Sequence, residues 1–374
     1  MLSIDFRLRA ILPLVFLLSI FNIFISCDCS DSLSADQTNL DKNIELVATS
    51  THRWTGLAIS SSGRLFVNYP NCSTDHNISV AELINNNSES RPFPDAEWND
   101  WQQGKNAASH FVAVQSVVID SNNFLWILDA GNPQRDGVFR GIVPGAAKLI
   151  KADLNSNSII QTILLDDAVK ENSYLNDVRI NETLNEAYIT DSNVGALVIV
   201  NLQTGKGRRV LENHSSTKSE NKILTVEGKP FRNAHGEYPV VHIDGIAISN
   251  DRSHLYWRSL TGEKLYSIDV ASLHDISLNE EALASRVKTL GSFPPSDGMI
   301  VGYYNELFLA SIEENAIRAY DNGNDTRLIR QRNDFRWPDS FSLGNDGYLY
   351  FTTSQVHLVN PTDPYKIFKF QVKF

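Results

Sequence analysis

One phrase recurs six times along the chain, and it sets the fold. A polar pair or triplet opens a short apolar strand, a turn follows, and a second strand rich in aromatic and β-branched residues comes next. The copies begin at Trp54-Thr55-Gly56-Leu57, Gln115-Ser116-Val117, Asn176-Asp177-Val178, Asp244-Gly245-Ile246, Asp297-Gly298-Met299 and Pro338-Asp339-Ser340-Phe341. Their second strands are Leu65-Phe66-Val67, Leu125 to Asp129, Ala187 to Asp191, Leu255-Tyr256-Trp257, Leu307-Phe308-Leu309 and Tyr348 to Thr352. Self-similarity at a spacing of roughly 40 to 70 residues is the signature of radial repetition, in which each unit needs its neighbours to bury its faces.

Each copy continues with two further strand-like runs, such as Ala196 to Val200 and Arg208 to Leu211 after the third. Four strands per unit make a propeller blade. The short links Ser61-Ser62-Gly63, Ser121-Asn122-Asn123 and Asn345-Asp346-Gly347 carry residues that tolerate tight-turn geometry. The chain therefore predicts an all-β, six-bladed β-propeller over residues 44–374. Its last copy has only one strand, Tyr365 to Val372, beyond the opening pair, so that blade is one strand short. Ile44 to Thr49 is predicted to fill the gap and close the ring.

In a propeller the first strand of every blade lines the central channel. Residues that open the copies should then converge on one mouth although they are scattered along the chain. The ligand-binding candidates are Trp54, Gln115, Asn176, Asp244, Asp297 and Asp339. Several carboxylates cannot ionise close together without compensation, which points to a positively charged guest. Trp54, Tyr174, Trp337 and Phe341 could supply stacking or cation–π walls. His242, two residues before Asp244, is with Asp244 the catalytic candidate, whereas His110 and His235 read as structural. Asp120, Asp129 and Asp191 follow strands and are expected to fix turns through backbone N–H groups. The long segments Phe93 to His110 and Asn213 to Tyr238 exceed hairpin length and are expected to act as lids.

The N-terminus has a different grammar. Arg7 and Arg9 precede an apolar run from Ala10 to Ile25, with small and polar residues from Ser26. That pattern predicts a signal peptide over residues 1–26, a flexible leader over 27–43 and an extracellular protein with no membrane-spanning segment in the mature chain. Ile23 to Cys27 is also similar to a lipobox, so a periplasmic or Cys27-anchored protein is the alternative. Cys27, Cys29 and Cys72 are the only cysteines, which excludes a disulfide scaffold. Six sequons, at Asn71, Asn77, Asn86, Asn181, Asn213 and Asn324, suit a glycoprotein. The formal charge of −11 without a basic run argues against nucleic acid and anionic membrane surfaces as partners and is compatible with a cationic small-molecule ligand at the channel mouth. Gly-x-Ser-x-Gly, His-Glu-x-x-His, Cys-x-x-Cys and phosphate-loop motifs are missing.

Several phrases, taken together and in order, resemble the major royal jelly protein and yellow family. They are Val114 to Asp120, Leu125 to Gly131, Tyr174 to Arg179, Ala187 to Ser192, His242 to Ala247 and Leu255-Tyr256-Trp257 leading to Leu260. The resemblance implies a secreted six-bladed propeller. It also implies binding of a biogenic amine or catechol-type molecule, or an activity on dopachrome, since members differ in what they do. More distantly the chain is similar to calcium-dependent lactonases and hydrolases of the gluconolactonase type. That likeness implies Asn176, Asp244 and Asp297 as ligands of a Ca²⁺ ion, but the first copy offers no Glu where those enzymes carry one.

Overall fold

The computed structural model describes residues 43–72, 76–87, 89–135, 138–323, 325–359 and 361–372. The expected signal peptide (1–26), nearly all of the expected leader (27–43), Cys27, Cys29 and the sequon asparagine Asn324 lie outside these residues. Within them the chain forms six four-stranded antiparallel sheets. Blade one is Leu57–Ile59, Leu65–Asn68, Val80–Ile84 and Glu89–Pro92, and blade two is Val114–Ile119, Phe124–Asp129, Lys148–Asp153 and Ser158–Leu164. Blade three comprises Leu175–Asn181, Glu186–Asp191, Ala196–Asn201 and Gly207–Val210. Blade four comprises Ile243–Ile248, His254–Ser259, Lys264–Asp269 and Lys288–Ser292. Blade five comprises Ser296–Val301, Leu307–Ser311, Ala316–Tyr320 and Thr326–Gln331. Blade six takes Pro338–Leu343, Tyr348–Thr353 and Tyr365–Gln371 from the end of the chain, and its outermost strand, Ile44–Ser50, from the beginning. Ile44 pairs with Phe370 and Ser50 with Tyr365, so the expected closure is present in antiparallel register.

Six apolar clusters hold the ring, one between each successive pair of blades. Leu128 and Leu149 of blade two meet Val178 and Ile189 of blade three, and Ala247 and Leu265 of blade four meet Met299 and Leu309 of blade five. The cluster across the closure joins Ile367 of blade six to Leu57 and Val67 of blade one. Alternation explains how one strand serves both purposes: successive side chains point to opposite faces, so each blade presents apolar residues to both neighbours. Burying each large apolar side chain contributes roughly 1.5–3 kcal/mol.

Asp120, Asp129 and Asp191 fix local geometry. The Asp120 carboxylate accepts from the N–H groups of Asn122 and Phe124 and from the Trp126 indole. Asp129 accepts from Val112, Ala113 and Gly131 and pairs with the fully buried Lys148 at 2.6 Å. Asp191 accepts from Tyr174 N–H and the Ser173 hydroxyl. The sequons divide by position: Asn71 and Asn181 are buried, whereas Asn77, Asn86 and Asn213 are exposed. Among the described residues, no helix is long and apolar enough to cross a membrane.

Candidate functional site at the upper channel mouth

The innermost strands begin with a break in their own hydrogen bonding. In blades three to six the pairing with the second strand skips two residues, between Leu175 and Val178, Ile243 and Ile246, Ser296 and Met299, and Pro338 and Phe341. The skipped pairs are Asn176-Asp177, Asp244-Gly245, Asp297-Gly298 and Asp339-Ser340, and blade two skips Gln115 in the same way. A bulge of this kind releases residues from the ladder and re-aims their side chains.

The released backbone is stitched to the next blade. Thr190 Oγ1 accepts from Asp177 N–H at 3.1 Å and donates to Asp244 O at 2.8 Å. Thr352 Oγ1 accepts from Ser340 N–H at 3.1 Å and donates to Thr55 O at 2.6 Å. Glycine permits the close approach. A Cβ on Gly245 would stand 2.2 Å from Asp297 O, and one on Gly298 would stand 2.1 Å from Asp339 O. The Asp-Gly pairs thus bring three aspartates side by side around the mouth.

Above them is a cavity of about 220 Å³. Asp177, Asp244, Asp297 and Asp339 line it together with Gln115 and Asn176. Asp177 accepts from Arg179 Nη1 at 2.8 Å and from the Ser116 hydroxyl at 2.7 Å, so its charge is offset. The other three carboxyls have only neutral donors. Asn176 Nδ2 donates to Asp244, the Trp337 indole N–H donates to Asp297 at 2.7 Å, and the Ser340 hydroxyl donates to Asp339 at 3.2 Å. Burial, then the negative charges of Asp297 and Asp339, holds Asp244 well above the usual carboxylate range. Burial and Asp297 do the same to Asp339, and burial pushes Asp297 up to about 6.

A directional chain of hydrogen bonds ends on Asp244. The Tyr174 hydroxyl donates to Gln115 Oε1 at 2.6 Å, Gln115 Nε2 donates to Asn176 Oδ1 at 3.1 Å, and Asn176 passes the chain on. Burial raises the Tyr174 phenol, so it stays a donor. Its ring packs against Phe139 at 4.5 Å between centroids, and both line the cavity with Trp337. Trp337 sits in the left-handed backbone region at φ 58°, which costs a bulky residue on the order of 1–3 kcal/mol. That backbone delivers its indole to Asp297.

Of the residues expected at this mouth, Gln115, Asn176, Asp244, Asp297 and Asp339 line one cavity. Trp54 does not. Pairing aligns Leu57 with Val178 and Ile246, as the residues opposite Val67, Ile189 and Trp257. Thr55 is therefore the equivalent of Asn176 and Asp244, and Trp54 lies one residue out of phase. A slip of one residue turns a side chain to the other face. Trp54 is 1% exposed in the core between blades six and one, with its indole donating to Lys366 O.

His242 also stands away from the cavity. Its Nδ1 accepts from Ser219 N–H at 2.9 Å, and its ring lies against Gly195, so it anchors the segment that follows blade three. Burial and then Lys218 lower its pKa, which keeps it a neutral acceptor. Phe341 opens onto the opposite mouth. The segment Phe93 to His110 packs Trp98 on Phe111 and contributes no residue to the cavity. From the second long segment, Glu227 pairs with Arg336 and Phe231 meets Trp337 of the cavity wall edge to face, but no residue of 213–238 lines the cavity; Val240 and Val241, just beyond that segment, do.

The calcium assignment does not fit the donor set. Asn176 turns its N–H toward Asp244 and its carbonyl toward Gln115, so the two residues do not offer oxygens to a common centre. Thr55 stands where an acidic ligand from the first blade is needed. Among the described residues, no three His, Cys, Asp or Glu side chains converge to hold a metal ion.

Sequence reasoning missed Asp177, Arg179, Arg53 and the cover formed by Gln134 and Phe139. Arg179 was open to inference. At its position the other copies have Ala58, Val118, Ala247, Ile300 and Ser342, so one long cation faces five smaller neighbours. The Gln134–Arg135 and Val138–Phe139 strands carry no repeat signal, because they belong to an insertion inside blade two.

Comparisons with known proteins agree with this architecture. A luciferin-regenerating enzyme superposes with a TM-score of 0.53 at 12% identity, covering 88% of this chain and 95% of that one. A gluconolactonase of Xanthomonas campestris superposes with a TM-score of 0.53 at 11% identity, covering 88% and 89%. At such identities the likeness is one of fold. In sequence, major royal jelly protein 7 of Apis mellifera is 25% identical over 189 residues, 48% of this chain and 39% of that protein, so the match spans well under half of the relative's length. The major royal jelly protein pattern itself matches residues 112–372, from the start of blade two to the closing strand of blade six. The chain belongs to the major royal jelly protein family.

Proposed function

We propose that this protein is a secreted propeller, cleaved after its signal peptide, whose upper channel mouth binds a small arylalkyl ammonium compound. One observation carries the reading: Asp244, Asp297 and Asp339 share a small cavity, and among the described residues no cation pairs with any of them. Arg179 is committed to Asp177, and Arg53, at the rim, donates to Leu358 O and lies over the Tyr365 ring. An ammonium group would relieve the repulsion that keeps the three carboxyls partly protonated. Tyr174, Phe139 and Trp337 offer ring faces and edges at the same cavity. The volume suits a single aromatic ring with a short side chain rather than a polymer.

Titration of tyramine and of its uncharged analogue 4-ethylphenol tests this, by calorimetry against the mature protein and Asp297→Asn. A charge-assisted hydrogen bond contributes roughly 1.5–3 kcal/mol, so tyramine should bind about tenfold to a hundredfold more tightly, and the substitution should narrow the gap. Equal affinities for the two ligands would remove the proposal. Among the described sequon asparagines, the exposed Asn77, Asn86 and Asn213 are the ones open to glycosylation in the folded protein.

A further inference from the structure

The same six strands end at a second cavity, of about 380 Å³, on the opposite face of the ring. Each blade contributes one aliphatic residue at the same position, namely Ile59, Ile119, Ile180, Ile248, Val301 and Leu343, and all six line it. The pattern is complete around the ring. Arg179 also lines this cavity, deeper in the channel. Its Nη1 donates to Asp177 Oδ1 and Val178 O, and its Nη2 donates to Met299 O. A guanidinium has five N–H donors. Among the described residues, Nε–H and one Nη2–H of Arg179 have no partner.

The other charges at this mouth are engaged. Arg252 pairs with Glu182, Glu182 also accepts from Ser121 N–H, and Asp120 is held by backbone and indole donors. The cavity is therefore a ring of six aliphatic side chains within a polar rim that includes Ser61, Asn123, Asn250 and Asn345, and inside that ring Arg179 keeps unpaired N–H donors. Aliphatic walls favour a hydrocarbon chain, and guanidinium favours a carboxylate, which can accept from two of its N–H groups at once. We propose that the lower mouth is a second ligand site, for a short aliphatic carboxylate that seats its chain in the six-residue ring and its head on Arg179. This site shares no lining residue with the amine cavity, and it stands whether or not that cavity binds an amine.

The test uses octanoate, octanol and octylammonium as probes, titrated into the mature protein by calorimetry. Octanoate is expected to bind at least tenfold more tightly than octanol, with octylammonium weakest. Arg179→Met should abolish the preference for the acid while octanol binding persists. Leu343→Trp, at a half-buried wall position, should block octanoate and leave tyramine titration unchanged, which guards against a fold that fails without Arg179. Equal affinity for acid and alcohol would overturn the proposal, as would a preference for octylammonium, competition between octanoate and tyramine, or no binding of any probe.

Discussion

The two mouths of this channel are made by the same six strands, only a few residues apart, and they have opposite chemistry. At the upper mouth the strand pairing is broken and the residues are Asn, Asp, Gly and Ser. At the lower mouth the pairing is regular and the residues are Ile, Val and Leu. The difference teaches where a repeat architecture keeps its freedom. A regular ladder commits a residue to packing, because its side chain must face a neighbour of fixed shape. In blades three to six a bulge withdraws two residues from that obligation, and there the chain places the acidic and amide side chains of the upper mouth.

The largest expected effect comes from forcing a side chain into the broken region. Gly298→Val would place carbon against Asp339 O, where a Cβ already stands 2.1 Å away, and is expected to cost several kcal/mol. Ile119→Val at the lower mouth should cost about 1 kcal/mol or less, since that side chain is half-exposed. Urea midpoints of the two variants compare the mouths directly, and equal losses would break the contrast.

A smaller effect concerns charge. Because the folded Asp297 carboxyl titrates at about 6, above its value in the unfolded chain near 4, the native state holds the extra proton between these values. The stability of the unliganded protein should therefore be full below about pH 4 and fall as pH rises through 6. Asp297→Asn should gain up to about 3 kcal/mol at pH 7 and nothing at pH 4, read as melting temperature against pH. A gain that is the same at both pH values would show that the acidic cluster is not strained.

The link between the mouths should be worth less. A double-mutant cycle on Asp177→Asn and Arg179→Met is expected to give a coupling of about 1.5–3 kcal/mol from denaturation curves. No coupling would mean that the two cavities are independent in charge as well as in shape. The smallest effect is on ligand: tyramine affinity should rise about tenfold from pH 5 to pH 7 as the carboxyls ionise, while octanoate affinity should change by no more than about twofold, as the acid itself finishes ionising. Parallel pH profiles for the two probes would contradict the assignment of opposite charge preferences.

The ring was legible in the sequence because its signal is repeated. Six openings and six turn-bounded second strands leave little choice, and the unpaired final strand pointed to Ile44 to Thr49. Asp244, Asp297 and Asp339 were legible for the same reason, since Asp-Gly or Asp-Ser recurs at one place in the phrase. Trp54 was misplaced because the first copy lacks the acidic residue that marks phase, and a conspicuous tryptophan drew the alignment by one position. His242 is close to Asp244 in sequence, but the strand starts between them, so the two side chains serve different surroundings. The Glu227–Arg336 pair joins residues more than a hundred positions apart and follows no period. Only the folded chain reveals it.

The strand Ile44–Ser50 completes the last blade as its outermost member. This gives the molecule a schedule as well as a shape. During synthesis blades one to five can assemble as they emerge, while the opening strand must wait for Tyr365–Gln371, made after all five of them. The ring is a belt whose buckle is its own two ends, and the loop that the buckle closes is nearly the whole chain. Long-range closure of this kind is slow and commits the chain late. It also fixes an address: whatever lies before residue 44 leaves from the outer rim of blade six, so a tether or fusion attached there departs from the strand farthest from the channel.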